Sequence, residues 1–222
     1  MTNGRIPRIT APAKTDLVLM KVAPFSGFST NEGSPVEDFF GNIPAPIIMT
    51  GDGRVESEFT VQAVNLDKGS QGPDAVILGN TLGYSYDIGD DSVFSFEVPY
   101  DCDTSEDLTV EIYWYINEAR TGANEEVQWR VRWSACPADE TEAIDGPTHT
   151  GTIDFGDQLI PEVAKHLTEI SGTIAAASIA DADYVSCTID RIALDGGTGP
   201  TADPVIVQIE IEYIKNKLGK AT

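Results

Sequence analysis

The stretch LTVEIYWYIN at positions 108–117, followed after a short polar segment by EEVQWRVRW at 125–133, decides how the chain reads. Leu108, Val110, Ile112, Trp114 and Ile116 share one parity, and Thr109, Glu111, Tyr113, Tyr115 and Asn117 the other. That is the two-residue period of a half-buried strand. Val127, Trp129, Val131 and Trp133 alternate likewise with Glu126, Gln128, Arg130 and Arg132. The intervening EARTGAN is a polar turn containing Gly122, so the two segments are predicted to pair as a hairpin. Trp114, Trp129 and Trp133 are then core residues, each indole burying roughly 200 Å². They are not read as an active site.

The same grammar extends to both sides. Phe59, Val61 and Ala63 alternate with polar neighbours, and Ala75, Val76, Ile77 and Leu78 form a short apolar run. VFSFEVP at 93–99 places Phe94, Phe96 and Val98 on one face and is closed by Pro99. After the tryptophan segments come an acidic loop, PADETEAIDGP at 137–147, and a short strand over 148–155. Residues 158–166 are expected to form one or two helical turns, with Pro161 near their start. SGTIAAASIA at 171–180 is predicted as a strand of small side chains that lets another sheet or subunit come close. A strand over 184–194 follows, with Val185, Cys187 and Ile189 inward, then the glycine-rich turn DGGTGPTADP. The last strand, 205–214, is predicted to put Val205, Val207, Ile209, Ile211 and Tyr213 on one face and Gln208, Glu210 and Glu212 on the other. About eight strands after residue 55, with no long amphipathic helix, predict two packed antiparallel sheets.

The runs VFSFEVPYDCDTSEDLTVEIYWY, VQWRVRWSAC, ISGTIAAASIADADYVSCTIDRIALDGG and VIVQIEIEYIK resemble the jelly-roll domains of virion structural proteins from bacterial and archaeal viruses. In both, a strand ending in proline leads through an Asp-rich turn to a tryptophan strand and its tryptophan-bearing neighbour. The penultimate strand ends near an arginine, here Arg191, and the last in Glu-Tyr, here Glu212 and Tyr213. The resemblance implies an all-β, antiparallel two-sheet sandwich, a single jelly roll, in a capsid, decoration or spike protein that assembles as a trimer or shell. It carries no catalytic residue with it.

Ahead of the sandwich, residues 1–54 hold six of the 13 prolines, all within the first 46 positions, which rules out long helix and most sheet ladders. Yet Leu17, Val18, Leu19, Met20, Phe25, Phe28, Phe39, Phe40, Ile43, Ile47, Ile48 and Met49 are too apolar for a free linker. The expected organisation is an extended arm over 1–54, a sandwich over 55–214 and a basic tail over 215–222. Phe25, Phe28, Phe39 and Phe40 are the candidate assembly residues, covering either this subunit's own sandwich or another's.

The net charge is -22, from 36 acidic against 14 basic residues, which disfavours polyanionic partners for the main surface. Seven of the 14 bases nevertheless sit at the ends: Arg5, Arg8, Lys14 and Lys21 in the first 21 residues, Lys215, Lys217 and Lys220 in the last eight. Two readings stand, solvated termini or ends that bind acidic neighbours, either other copies or a polyanion. Nucleic acid is expected to engage these termini at most.

Enzyme signatures are poor. His149 and His166 lie in no metal or nucleophile-elbow motif, and the glycine-rich turn lacks the lysine of a phosphate cradle. The acidic groups Asp87, Asp90 and Asp91, Asp101 and Asp103, and Asp181 and Asp183 could each bring several oxygens to a hard cation such as Ca²⁺, but chance clustering among 36 acids is the default reading. Hence no catalytic residue, metal or cofactor is assigned. Arg130 and Arg132 are expected to pair with Glu111 or Glu126, or to serve a subunit interface. Cys102, Cys136 and Cys187 fit no zinc spacing and no disulfide frame. With neither a membrane-length apolar run nor a signal-peptide pattern, synthesis in a host cytoplasm and residence in the virion are expected. The alternative to a self-assembling coat or decoration subunit is a receptor- or carbohydrate-binding sandwich with Tyr84, Tyr86, Tyr113 and Tyr115 exposed.

Overall fold

In the computed structural model, the described residues are 54–139 and 141–216, with the backbone of 47–48 and 217–218. The strands are β1 Ile47–Ile48, β2 Val55–Gln62, β3 Asp67–Lys68, β4 Asp74–Leu78, β5 Thr81–Ser85, β6 Asp91–Glu97 and β7 Leu108–Ile116. They continue with β8 Glu126–Cys136, β9 His149–Leu159, β10 Thr168–Ile174, β11 Tyr184–Ile192, β12 Pro204–Lys215 and β13 Lys217–Leu218. Two 3-10 turns, Ala63–Asn65 and Ala176–Ser178, are the helical elements among the described residues.

All named strand pairs are antiparallel. One sheet runs β10-β7-β12-β5-β4, with β2 beside the second half of β12; the other runs β3-β6-β11-β8-β9. Two sheets each carrying one apolar face stack into an all-β sandwich. The inward positions of β6, β7, β8, β11 and β12 form the core. The short pair β1–β13 joins Ile47 to Leu218 and Ile48 to Lys217.

The tryptophan segments do not form a hairpin. β7 and β8 belong to different sheets, so EARTGAN arches across the sandwich instead of turning within one sheet. Alternation is satisfied either way, because it reports which face of a strand is buried and not which neighbour it bonds. The arch sets Trp114 and Trp129 edge to face across the core, ring centroids 6.3 Å apart, and Tyr86 stands edge-on to Trp129 at 5.3 Å. All three tryptophans are buried.

Three further expectations change. Residues 158–166 are not helical: β9 continues to Leu159, past a bulge opposite Gln128–Arg130 where Gly156 takes φ 66°. The strand expected over 171–180 lies at Thr168–Ile174 and gives way to a 3-10 turn. Its small residues do allow close approach, since a Cβ on Gly172 would collide with Ile153 of the opposite sheet. In β12 a bulge at Ile206–Gln208 reverses the parity, so Ile206, Ile209, Ile211 and Tyr213 enter the core while Val205 and Val207 do not follow that series. Cys187 fills the core as read, and Cys102, Cys136 and Cys187 are all buried, with no disulfide among the described residues.

Candidate functional site

The polar side of the first sheet is assembled by register. Across β10, β7, β12 and β2, one row reads Glu169, Tyr113, Gln208, Gln62 and the next Ser171, Glu111, Glu210, Thr60. The third reads Thr173, Thr109, Glu212, Glu58, with Glu56 beyond it on β2. Neighbouring strands lie about 4.8 Å apart, so these six glutamates share one small surface. Glu111 and Glu210 are directly opposite each other, and each is only 9% exposed. Like charges so placed destabilise a sheet.

Partial relief comes from hydroxyls. Tyr113 donates from its hydroxyl to Glu111 Oε2 at 2.9 Å, and Thr60 Oγ1 donates to Glu210 Oε1 at 3.2 Å. Among the described residues no lysine or arginine is ion-paired with any of the six. Burial, and then the charges of Glu169, Glu210 and Glu58, push the Glu111 carboxyl above its ordinary value. Glu212 is raised for the same reasons, by burial first and then by Glu111, Glu56, Glu58 and Glu210. The Tyr113 phenol is raised by burial and by the carboxylates around it. Chemically the face is an acceptor of protons and cations.

The outer face of the second sheet is compensated. Arg132 grips Asp190 with two hydrogen bonds, Nε to Oδ2 at 2.9 Å and Nη2 to Oδ1 at 2.7 Å. Arg130 Nη2 donates to Asp154 Oδ2 at 2.9 Å. These partners replace the expected Glu111 and Glu126; Glu111 lies on the other sheet altogether. Hydrogen bonds to Asp154 from Arg130 and Gln128 outweigh its burial and hold its carboxyl below the usual range.

At one end of the sandwich, a cleft of about 490 Å³ is lined by Gln71, Asp87, Ile88, Asp90, Arg191, Pro200 and Asp203. Arg191 points inward from β11 and is buried; its Nη1 donates to Tyr86 O and to Asp203 Oδ1, both at 2.6 Å. Asp87 stands beside Asp203, whose charge and hydrogen bond raise the Asp87 carboxyl. The guanidinium thus ties the β5–β6 connection to the start of β12, leaving carboxylates and an amide along the rim.

The acidic groups read from the sequence are absorbed locally. Asp91 accepts from the backbone N–H of Gln71 and the hydroxyl of Ser70, Asp103 from Arg54 and Ser105, and Asp183 from the N–H of Ala180. Among the described residues no group of three or more His, Cys, Asp or Glu is arranged to hold a metal. His149 and His166 are exposed. Tyr86 and Tyr115 are buried, contrary to the exposed role considered for them, while Tyr84 and Tyr113 are half-buried. Lys215 is not a free tail residue: it closes β12 and its Nζ meets Asp101 Oδ2 at 3.1 Å. Lys217 lies in β13. Arg5, Arg8, Lys14, Phe25, Phe28, Phe39, Phe40 and Lys220 lie outside the described residues.

No known sequence family and no curated protein matches the chain. Solved structures do. The CBM36-1 domain of a multidomain xylanase from the hindgut metagenome of Trinervitermes trinervoides is 15% identical, with a TM-score of 0.38 over 75% of this chain and 99% of that one. The CBM22-1–GH10 modules of Clostridium thermocellum Xyn10B, complexed with xylohexaose, are 14% identical at a TM-score of 0.38, over 76% and 28%. Infectious bursal disease virus is 11% identical at a TM-score of 0.34, over 71% and 32%. At such identities and TM-scores these likenesses assign no residue and no activity to the chain.

Proposed function

We propose that the chain is a virion structural subunit, a non-catalytic jelly-roll sandwich that assembles with copies of itself and with other virion proteins. The observation that carries the reading is the charge layout. Six glutamates share one outer face with no lysine or arginine among the described residues ion-paired to them, while six of the chain's 14 bases besides the ion-paired Lys215 lie at its two ends. Joining a basic end of one copy to the glutamate face of another relieves repulsion that the isolated subunit retains. Such a contact weakens with salt, because exposed charges are screened over about 10 Å at 0.1 M. The virion assignment rests on the resemblance carried by the strand runs from 93 to 215. Light scattering across a concentration series of the full chain tests it: trimers or larger particles at low salt are expected, and a monomer throughout would refute it.

A second reading, a glycan-binding sandwich, draws on the end cleft. Gln71, Asp87, Asp90 and Asp203 offer hydrogen-bonding groups beside the apolar Ile88 and Pro200, a combination suited to sugar hydroxyls and ring carbons. Affinity electrophoresis through xylan or mannan decides it: retardation that disappears in Gln71→Ala supports this reading, and unretarded migration removes it.

A further inference from the structure

β5 and β4 form one margin of the first sheet. Tyr84 packs against the core, and Leu82, two residues away on β5, shares its side. Ala75 and Ile77 of β4 are registered opposite Tyr84 and Leu82, so Ile77 also faces the core side. It is nevertheless 74% exposed, the most exposed large aliphatic side chain among the described residues. The cause is the short opposing edge: β3 is only two residues long, and its Lys68 reaches the ring of Tyr84, with Nζ 5.8 Å from the centroid. The turn Ala63–Asn65 packs beside β5 and leaves Val64 exposed at the same margin.

Among the described residues β4 is also the end of its sheet, with no strand paired to its outer side. Natural edges are commonly blunted by lysine or proline, and DAVIL contains neither. An open edge beside an uncovered apolar strip fits an added strand that supplies backbone bonds along the edge and side chains over the strip.

We propose that residues 13–23, AKTDLVLMKVA, of a second copy add to β4 as this strand. It is the longest proline-free stretch of the first 46 residues, bounded by Pro12 and Pro24, and Leu17 to Met20 are all apolar. Alternate side chains of that run cover Ile77 and Leu82, while Lys14 and Lys21 at its ends meet an acidic body. Residues 24–46 span up to about 75 Å when extended, ample reach to a neighbour. This inference rests on the self-association proposed above and names one contact within it.

The test uses the full chain. Ile77→Lys, at an exposed position, and Leu17→Asp with Leu19→Asp should each weaken self-association by about tenfold to a hundredfold, the equivalent of losing one or two buried aliphatic side chains. Ile77→Lys should leave the unfolding midpoint unchanged. Mixing separately tagged Leu19→Cys and Ile77→Cys chains under mild oxidation should give a covalent heterodimer, as a disulfide needs Cα atoms within about 7 Å. If the wild type stays monomeric, both the assembly reading and this contact fail. If it assembles but the charged variants assemble equally and no heterodimer forms, only the contact fails. Cross-linking confined to single chains carrying both cysteines would place the strand on its own subunit and overturn exchange between copies.

Discussion

The two outer faces of the sandwich solve the same problem differently. On the β3-β6-β11-β8-β9 sheet, Arg130 and Arg132 meet Asp154 and Asp190, so each central charge has an opposite neighbour. On the β10-β7-β12-β2 side, Glu56, Glu58, Glu111, Glu169, Glu210 and Glu212 have, among the described residues, the hydroxyls of Tyr113 and Thr60 but no ion-paired lysine or arginine. A chain with net charge -22 must leave acids unpaired somewhere, but diffuse placement costs least. Concentrating them on one face, two of them nearly buried, sacrifices stability that folding alone gives no reason to lose. The first face is charge-paired within the fold; on the second, among the described residues, no lysine or arginine is ion-paired with the glutamates.

The comparison breaks hardest where compensation is buried. Arg191→Ala strands the Tyr86 carbonyl and leaves Asp87 and Asp203 facing each other, so chemical denaturation should report a loss of about 3 kcal/mol. Arg132→Ala, on the compensated face, leaves Asp190 beside Asp91 without its guanidinium. Because Arg132 is largely exposed, a smaller loss of about 1 kcal/mol is expected from the same measurement. Glu111→Gln should have the opposite sign: removing a like-charge neighbour of Glu210 stabilises the isolated subunit by about 0.5 kcal/mol. Destabilisation by that substitution would mean that the glutamates are not in conflict.

Acidity separates the faces further. Glu111 and Glu212 bind protons more tightly folded than unfolded, so their contribution is complete below the ordinary value of 4.5 and is lost as pH rises through their folded values. Asp91 and Asp154 on the other sheet are lowered, so theirs is present above 3.8 and lost as pH falls through their folded values. Thermal unfolding between neutral pH and about pH 5 should therefore show a small gain on acidification, a few tenths of a kcal/mol, that Glu111→Gln diminishes. Further acidification below the ordinary aspartate value should destabilise both proteins alike.

Much of the fold was legible in single segments. The parity of β7, β8 and β11 named the buried residues, the three tryptophans included, because burial of alternate side chains is a local property of a strand. What stayed hidden depended on partners. EARTGAN suits an arch as well as a hairpin, and what distinguishes them is strand pairing, β7 with β10 and β12 and β8 with β11 and β9. Gly156 and the bulge at Ile206–Gln208 shift phase within a strand, which a fixed period cannot register. The glutamate face shows the same divide. Glu111, Glu210 and Glu212 were visible as polar alternates, but their meeting, and the arrival of Glu56, Glu58 and Glu169, follows from the order β10-β7-β12-β2. The cleft joins residues from 71 to 203, and no local signal marks it.

The most direct test is sedimentation of the full chain beside a variant carrying Glu58→Gln, Glu111→Gln, Glu210→Gln and Glu212→Gln, each at about 0.05 M and about 0.5 M salt. The wild type should associate at low salt and dissociate at high salt, and the variant should remain dissociated in both while unfolding at a temperature no lower than the wild type. A variant that associates as strongly as the wild type at low salt would contradict a glutamate face kept for the cationic ends of other copies.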